Sequence, residues 1–335
     1  MPITTQLTTL LRVRYPILLA AMDLVADARL TLAVSDAGGF GILGGGYGNS
    51  DWLKRELALL MEARKARPLP FGVGFITWSL AKQPLLLDQT LAARPAAVWL
   101  SFGDPAPFVD KIKAAGALVI CQVQTVPMAR DAVAKGADII VAQGTEAGGH
   151  GVSCGSMTLV PAVVDAIGHK VPVAMSGGVG DGRGLAAALM LGAQGVVLGT
   201  RLYASEEAAG HPNAKARIVA ASGEQTLRSI VFDVSRENLW PAPYTGRCLI
   251  NDHVRKWAGR EMELMREISK ERDPFVAAKQ RGDFDIAPVI AGEVVGLIHD
   301  VPTAKEIVER MMVEAERLVG GGAPVEARSV RSLSP

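Results

Sequence analysis

The 335-residue sequence predicts an α/β protein, a (β/α)8 TIM barrel with a C-terminal helical subdomain. Three observations favour this fold class. Short apolar runs typical of strands occur eight times between Tyr15 and Arg201. The runs are continuously apolar rather than alternating, as in parallel strands covered on both faces. Segments of helical character separate them, with the length of roughly 10–15 residues that suits a parallel crossover.

The eight predicted strands divide this part of the chain into regular units. Several intervening segments end in Gly-Ala just before the next strand, as in KAAGALVI and AKGADIIV, which is typical of a helix C-cap followed by a strand. A doubly wound open sheet remains the alternative, because a sequence does not show whether a sheet closes. The predicted strands are PILLAAM (16–22), GFGILGGG (39–46), FGVGFIT (71–77), AAVWLSF (96–102), ALVICQV (117–123), DIIVAQG (138–144), PVAMSGG (172–178) and GVVLGTR (195–201).

The character of the sequence changes after Arg201. Polar and charged helical stretches follow, interrupted by the Pro-rich turn WPAPYTG, and strand patterns nearly vanish. The segment 303–321 has apolar residues at the spacing of one helix face. We therefore predict four parts: a ligand-binding barrel over 1–205, a helical subdomain near the active site over 206–299, a helix within 300–322 that packs back on the barrel, and a flexible tail over 323–335.

Composition narrows the possible partners. Lys plus Arg (35) nearly equals Asp plus Glu (34), so no strong net charge favours nucleic acid or an anionic membrane. Three cysteines without CxxC spacing indicate free thiols in a reducing compartment. No signal peptide and no long apolar segment is evident. We expect a cytoplasmic enzyme that acts on small molecules. The sequence leaves a homo-oligomer open.

Two glycine-containing loops follow the seventh and eighth predicted strands. In MSGGVGDGRG, Ser176 offers a hydroxyl and the pair Gly177–Gly178 allows close backbone approach, while LGTR adds Gly199 and Thr200. In barrels these two loops commonly form a phosphate site. The alternative is that the glycines only make turns. No GK[ST] follows them, so the pattern is not a Walker A loop, and it is not the Rossmann fingerprint either.

His150 lies in the loop after the sixth strand, in the stretch AQGTEAGGHG. Its glycine neighbours leave the imidazole open to a ligand, and histidine suits proton transfer near neutral pH. His150 is therefore the predicted general base. The other histidines precede a strand or lie in the helical region and are not predicted to be functional: His169, His211, His253 and His299.

Metal binding and thiol catalysis are weaker alternatives at His150. Glu146 stands at a helical ligand spacing from it, yet four glycines between 144 and 151 argue against a helix there. We expect no metal. Cys154 is conceivable as a nucleophile paired with His150, on spacing alone.

Polar and aromatic residues also end two other strands. Gln122 and Gln124 need partners at the end of a buried strand, and either a ligand or a neighbouring loop could supply them. Phe75 and Trp78 lie around the end of the third strand, where they either shape an apolar pocket or fill the core.

These residues together resemble a known family. GTEAGGHG, MSGGVGDGRG, LGTR and PILLAAM are similar to motifs of the nitronate monooxygenases, formerly called 2-nitropropane dioxygenases, over roughly residues 11–210. The resemblance implies an FMN-dependent (β/α)8 enzyme. It places the FMN phosphate at Ser176, Gly177, Gly178, Gly199 and Thr200, and the isoalloxazine ring near Ala21, Met22, Gly74, Gln122 and Gly148.

The resemblance also implies a reaction. His150 would take the α-proton of a nitroalkane or orient a nitronate, and O2 would complete oxidation to a carbonyl compound and nitrite. Two features depart from the family pattern: Gly74 stands where many members have Asn, and GGHGV replaces the frequent GGHRG, with Tyr244 the only tyrosine after residue 203.

Two other functions remain open from the sequence. FMN-dependent enoyl-[acyl-carrier-protein] or quinone reductases, which use NAD(P)H, share the EAGGH element and the barrel. A flavin-free barrel isomerase or aldolase could use the phosphate loops for a sugar phosphate and His150 as its base.

Overall fold

The eight predicted barrel strands are present in a computed structural model, which describes residues 2–322. These strands are β1 (Ile17–Leu19), β2 (Gly41–Gly46), β3 (Phe71–Ile76), β4 (Ala97–Ser101), β5 (Leu118–Val123), β6 (Ile139–Gln143), β8 (Val173–Ser176) and β9 (Gly195–Leu198). They pair in parallel in the order β1-β9-β8-β6-β5-β4-β3-β2. Leu18 of β1 and Phe40, just before β2, form a parallel bridge that brings the two ends of the sheet together. The barrel is therefore confirmed over the open sheet.

The helices between strands begin and end where the sequence provides caps. Asp27, Asn49 and Thr125 accept hydrogen bonds from the backbone at helix N-termini. Gly116 and Gly136 in the Gly-Ala turns have left-handed backbone angles, φ +77° and +100°. The helices are α1 (Gln6–Leu11), α2 (Ala28–Asp36), α3 (Ser50–Ala66), α4 (Thr77–Leu80), α5 (Leu85–Ala92), α6 (Ala106–Ala114), α7 (Val126–Ala134), α8 (Ser156–Ile167), α9 (Gly182–Met190), α10 (Thr200–Tyr203), α11 (Pro212–Ala220), α12 (Val231–Ser235), α13 (Asp252–Trp257), α14 (Glu261–Arg281) and α15 (Ala304–Val319), with 3-10 turns at Gly223–Gln225 and Glu293–Leu297.

Apolar side chains fill the interior of the barrel at the amino-terminal end of its strands. Phe40, Trp99 and Ile120 belong to this interior cluster, and Leu7 and Leu11 of α1 pack against it at that end. A larger cluster lies between the strands and the surrounding helices. Because α1 and the interior cluster close the amino-terminal end, space for a ligand is left at the carboxyl ends of the strands.

The predicted helical subdomain over 206–299 contains two strands that the sequence analysis missed. Strands β10 (Thr226–Ser229) and β11 (Thr245–Leu249) form an antiparallel pair, and β11 also pairs with β7 (Gly149–Gly151) from the loop after β6. The strands are short and separated by 15 or more residues, so local periodicity carries little signal for them. Their pairing joins this part of the chain to the loop that carries His150.

The last helix, α15, packs against α9 and α2 on the outside of the barrel. A capping box at Thr303 and Glu306 begins it. Its buried face includes Ile307, Met311 and Ala315. The predicted tail, 323–335, lies outside the described residues. Within residues 2–322, no helix combines the length and apolar character needed to cross a bilayer.

Candidate active site

A cavity of about 610 Å³ opens at the carboxyl ends of the barrel strands. Loops at this end form the ligand sites of parallel barrels. The cavity is lined by every residue that the sequence analysis assigned to catalysis or cofactor binding: Ala21, Met22, Gly74, Gln122, Gly148, His150, Ser176, Gly177, Gly178, Gly199 and Thr200. The fold thus brings together residues within or just after β1, β3, β5, β6, β8 and β9.

The loop after β8 has the backbone form of an anion cradle. Gly177 and Gly178 both lie in the left-handed region, with φ +105° and +75°. At Gly199 an added Cβ would stand 3.6 Å from the Cβ of Ala20, which is an ordinary van der Waals contact. The Thr200 hydroxyl accepts a hydrogen bond from the Gly292 amide at 2.9 Å, which ties the 292 loop to the end of β9.

The barrel side of the cavity is lined by small residues in close contact. A Cβ added to Gly74 would lie 2.2 Å from the Cβ of Ala21, and real carbon atoms do not approach so closely. The glycine found here in place of the frequent Asn is therefore required by Ala21. Together the two residues line the cavity without a bulky side chain.

Gln122 and Gln124 find their partner on the next strand. Both side-chain amides donate to the Gln143 carbonyl oxygen, each at 2.8 Å. Gln122 and Gln143 line the cavity, whereas Gln124 is buried. The partner is thus a side chain of β6 rather than a loop, and Gln122 and Gln143 present a polar edge to the cavity.

His150 is held by the small sheet above the barrel. It lies in the middle of β7 and pairs with Gly246 of β11. Its Nε2 lies 2.9 Å from Oδ2 and 3.2 Å from Oδ1 of Asp233, a buried residue of α12. Asp233 also accepts a hydrogen bond from Arg236 at 2.6 Å. The imidazole therefore faces a carboxylate on one side and is also part of the cavity wall.

Aromatic rings surround His150. The indole of Trp240 stacks on the imidazole, and the Trp240 ring N–H donates to the Tyr47 hydroxyl at 2.8 Å. Phe102 packs edge-on against Trp240 and Tyr244. Phe102 has a left-handed backbone, φ +62°, which is costly for a residue with a side chain and is found most often at functional sites.

Burial is the main influence on the pKa of His150. Burial lowers this pKa below its ordinary value, while the hydrogen bond and the charge of Asp233 act in the opposite direction. Burial also raises the pKa of Tyr47 to about 12. Near neutral pH, His150 is therefore a neutral imidazole able to accept a proton, and Tyr47 keeps its hydroxyl proton.

The side chains considered for metal or thiol chemistry are engaged elsewhere. Glu146 accepts hydrogen bonds from the backbone N–H and the hydroxyl of Ser156. The thiol of Cys154 contacts Thr158, and Cys154 does not line the cavity. Over residues 2–322, no three His, Cys, Asp or Glu side chains are grouped as a metal ion would require.

One histidine of the segment 206–299 lies at the cavity. His211 lines it, and its Nδ1 accepts a hydrogen bond from the Asn213 amide at the start of α11. The segment that was predicted to lie near the active site thus contributes residues to the cavity wall.

Asp233, Arg236 and Trp240 were missed by the sequence analysis. The first two lie in or next to a short helix, and Trp240 begins the stretch that was interpreted only as a Pro-rich turn. One signal was present: Asp233 is a single acid among Val231, Phe232 and Val234. An acid in such an apolar run is rarely left without a partner.

A closed parallel barrel with a deep cavity and a buried histidine–carboxylate pair at its carboxyl end defines the class of (β/α)8-barrel enzymes. The sequence pattern of the nitronate monooxygenase family matches residues 4–84 and 83–314. The chain belongs to the nitronate monooxygenase family and is an oxidoreductase.

Individual relatives agree with this assignment. A nitronate monooxygenase of Neurospora crassa is 34% identical over 91% of this chain and 90% of its own length. The structure of FabK from Thermotoga maritima superposes with a TM-score of 0.84 at 31% identity, covering 95% of this chain and 98% of FabK. The structure of a nitroalkane oxidase from Streptomyces ansochromogenes gives a TM-score of 0.77 at 25% identity, covering 94% of this chain and 99% of the oxidase chain.

Proposed function

We propose that the protein is an FMN-dependent enzyme that oxidises nitroalkanes or alkyl nitronates with O2 to a carbonyl compound and nitrite. One observation carries this proposal: a neutral, buried His150 lines the same cavity as the glycine loop at Gly177 and Gly178. The first supplies a base, and the second supplies a place for a phosphate. The family membership and the similarity to a nitroalkane oxidase favour this substrate class.

His150 would act on the carbon acid. The α-proton of a nitroalkane passes to the imidazole, and the electron pair of the C–H bond moves into the nitro group, which gives the nitronate. A base that is neutral near pH 7 suits this transfer. A substrate supplied as the nitronate has already lost that proton, so it would depend less on His150.

The volume of the cavity and the backbone of its glycine loop are compatible with FMN. Its volume of about 610 Å³ lies within the range of roughly 300–1,000 Å³ typical of cofactor and ligand sites. Ser176, Gly177, Gly178, Gly199 and Thr200 would hold the phosphate. The wall at Ala21, Met22 and Gly74, with Gln122 and Gly148, would receive the flat ring. When bound, the flavin supplies the electron-accepting chemistry that side chains lack.

The test uses the purified full-length protein. We expect a flavin absorbance band at about 450 nm and nitrite release from 2-nitropropane and from propyl-2-nitronate. His150→Ala should retain the flavin, lose roughly 10²–10⁴-fold in turnover of 2-nitropropane and lose less with the nitronate. A colourless protein that does not take up FMN would overturn the proposal, as would a His150→Ala variant with normal activity on 2-nitropropane.

A second function is an NAD(P)H-using reductase of enoyl thioesters or quinones. The similarity to FabK, with its TM-score of 0.84, favours it. Anaerobic stopped-flow mixing separates the two proposals. Rapid bleaching of the flavin band by NAD(P)H, with no nitrite from propyl-2-nitronate, would support the reductase. Because the family consists of oxidoreductases, a flavin-free isomerase or aldolase is not proposed.

A further inference from the structure

Asp233 has no role in the function described so far, although it makes the closest polar contact of His150. We propose that Asp233 is a positioning residue that fixes the tautomer of His150, so that Nδ1 is the atom that takes the substrate proton. The identity of the substrate rests on the proposed function above. The tautomer does not, and it can be measured without any substrate.

The hydrogen-bonding capacity of the two groups determines the tautomer. An ionised carboxylate only accepts hydrogen bonds, so the Nε2 that faces both Asp233 oxygens, at 2.9 and 3.2 Å, must carry a proton. A neutral imidazole has one N–H. Its lone pair is therefore on Nδ1, the nitrogen on the other side of the ring.

Arg236 forms an ion pair with Asp233 and orients its carboxylate. Its Nη2 donates to Oδ1 of Asp233 at 2.6 Å and to the Tyr47 hydroxyl at 3.1 Å. Asp233 has a side chain only 3% exposed, so the pair is shielded from water. A buried carboxylate needs such a partner of opposite charge, because burial removes its contact with water.

The contacts close into a ring. His150 bonds to Asp233, Asp233 to Arg236, and Arg236 to Tyr47. Tyr47 accepts from Trp240, which stacks back on His150 with ring centroids 3.4 Å apart. The five members come from three segments of the chain: Tyr47, His150 and the stretch 233–240. Such closure holds the imidazole plane as well as its proton.

The charges around His150 come from α12 and β10. Asp233 faces it from α12, Arg236 from the residue after that helix, and Arg228 from β10. The guanidinium of Arg228 donates to the carbonyl oxygens of Thr145 and Thr245, so it lies within the sheet. Both arginines oppose protonation of His150, whereas Asp233 favours it. Loss of the carboxylate charge should therefore lower the pKa of His150 further.

Asp233→Asn is a sharp test because Arg236 determines which way the amide points. The arginine continues to donate to the remaining carbonyl oxygen, so the amide nitrogen takes the place of Oδ2. That nitrogen donates to Nε2 and moves the imidazole proton to Nδ1. We expect Asp233→Asn to lose roughly 100-fold or more in turnover of 2-nitropropane, to lose less with propyl-2-nitronate, and to shift the acidic limb of the residual activity to lower pH.

The 15N NMR shifts of the His150 ring report the tautomer directly. The wild-type protein should show a protonated Nε2 and an unprotonated Nδ1, and Asp233→Asn should show an unprotonated Nε2 and a protonated Nδ1. The matched control is Asp138→Asn, which alters a carboxylate bonded to the Val119 amide and Lys113 before β6, at the opposite end of the barrel. It should leave the His150 shifts and the pH profile unchanged.

Two results would overturn the inference. One is a bare Nε2 in the wild-type protein, which requires no variant and no activity. The other is an Asp233→Asn variant that folds, retains the wild-type tautomer and deprotonates 2-nitropropane at the wild-type rate. Failure of the wild-type protein to release nitrite from either substrate would instead reject the proposed function, and the NMR result would still decide the role of Asp233.

Discussion

Trp240 lies flat on His150, with ring centroids 3.4 Å apart and ring planes 5° apart. One face of the imidazole is thus covered by an indole, and a substrate can approach only its other face or its edge. Trp240 follows α12, the helix that carries Asp233. A single segment of the chain therefore supplies both the carboxylate that binds His150 and the ring that shields it from water.

Removal of this ring should raise the pKa of His150. Burial is the largest cause of its lowered pKa, and Trp240→Ala would let water reach the exposed face. The acidic limb of the kcat/KM profile for 2-nitropropane should then move to higher pH. Trp240→Phe, which retains a flat ring but not the hydrogen bond to Tyr47, should shift it less. Equal profiles for Trp240→Ala and the wild type would contradict this account.

Gly74 should be intolerant of any side chain while Ala21 is present. The 2.2 Å separation of an added Cβ from the Ala21 Cβ forces β1 and β3 apart, and overpacking of this kind costs about 1–3 kcal/mol. We expect Gly74→Ala to lower the free energy of unfolding by this amount, measured in urea. Ala21→Gly together with Gly74→Ala should recover most of the loss. If the double variant were as unstable as Gly74→Ala, the contact would not be the cause.

The sequence was sufficient to predict the barrel and the residues that its strands bring to one end. Each strand is an apolar run followed by a crossover, and residues such as Ser176 and Gln122 reach the cavity because they end a strand. That information is local. The position of a residue after a barrel strand fixes the end of the barrel at which it lies.

The residues around His150 could not be predicted in this way. Asp233 lies 83 positions from His150 along the chain and reaches it only because β11 pairs with β7. Pairing between short, distant strands depends on tertiary contacts rather than on local periodicity. Trp240 likewise had the appearance of a turn residue, and nothing near it in the sequence indicates a histidine as its partner.

His253 should make the protein less stable in mild acid. It is buried, its Nε2 lies 2.7 Å from the Ser235 hydroxyl oxygen, and burial lowers its pKa to about 4. The unfolded chain binds this proton near pH 6.5, whereas the folded protein binds it only near pH 4. The free energy of unfolding should therefore fall as the pH drops through this interval.

His253→Gln removes the titrating group and retains a side chain that can bond to Ser235. Its free energy of unfolding, measured in urea between pH 7.5 and pH 4, should fall less steeply than that of the wild type. His169→Gln, which alters an exposed histidine, is the matched control. A wild-type slope retained in His253→Gln would show that another group is responsible.

Gly178 and Gly116 allow the phosphate site to be tested apart from backbone strain. Both are exposed glycines with nearly the same left-handed angle, φ +75° and +77°, but Gly178 faces the cavity and Gly116 lies in the turn before β5. A residue with a Cβ at such an angle costs about 1–2 kcal/mol, so Gly178→Ala and Gly116→Ala should lose similar amounts of stability.

Only Gly178→Ala places a methyl group in the cradle. We expect it to weaken FMN binding to the apoprotein by at least about tenfold, or roughly 1.4 kcal/mol, in a fluorescence titration, with Gly116→Ala unchanged. If both variants bound FMN equally well, the loop after β8 would not hold the phosphate.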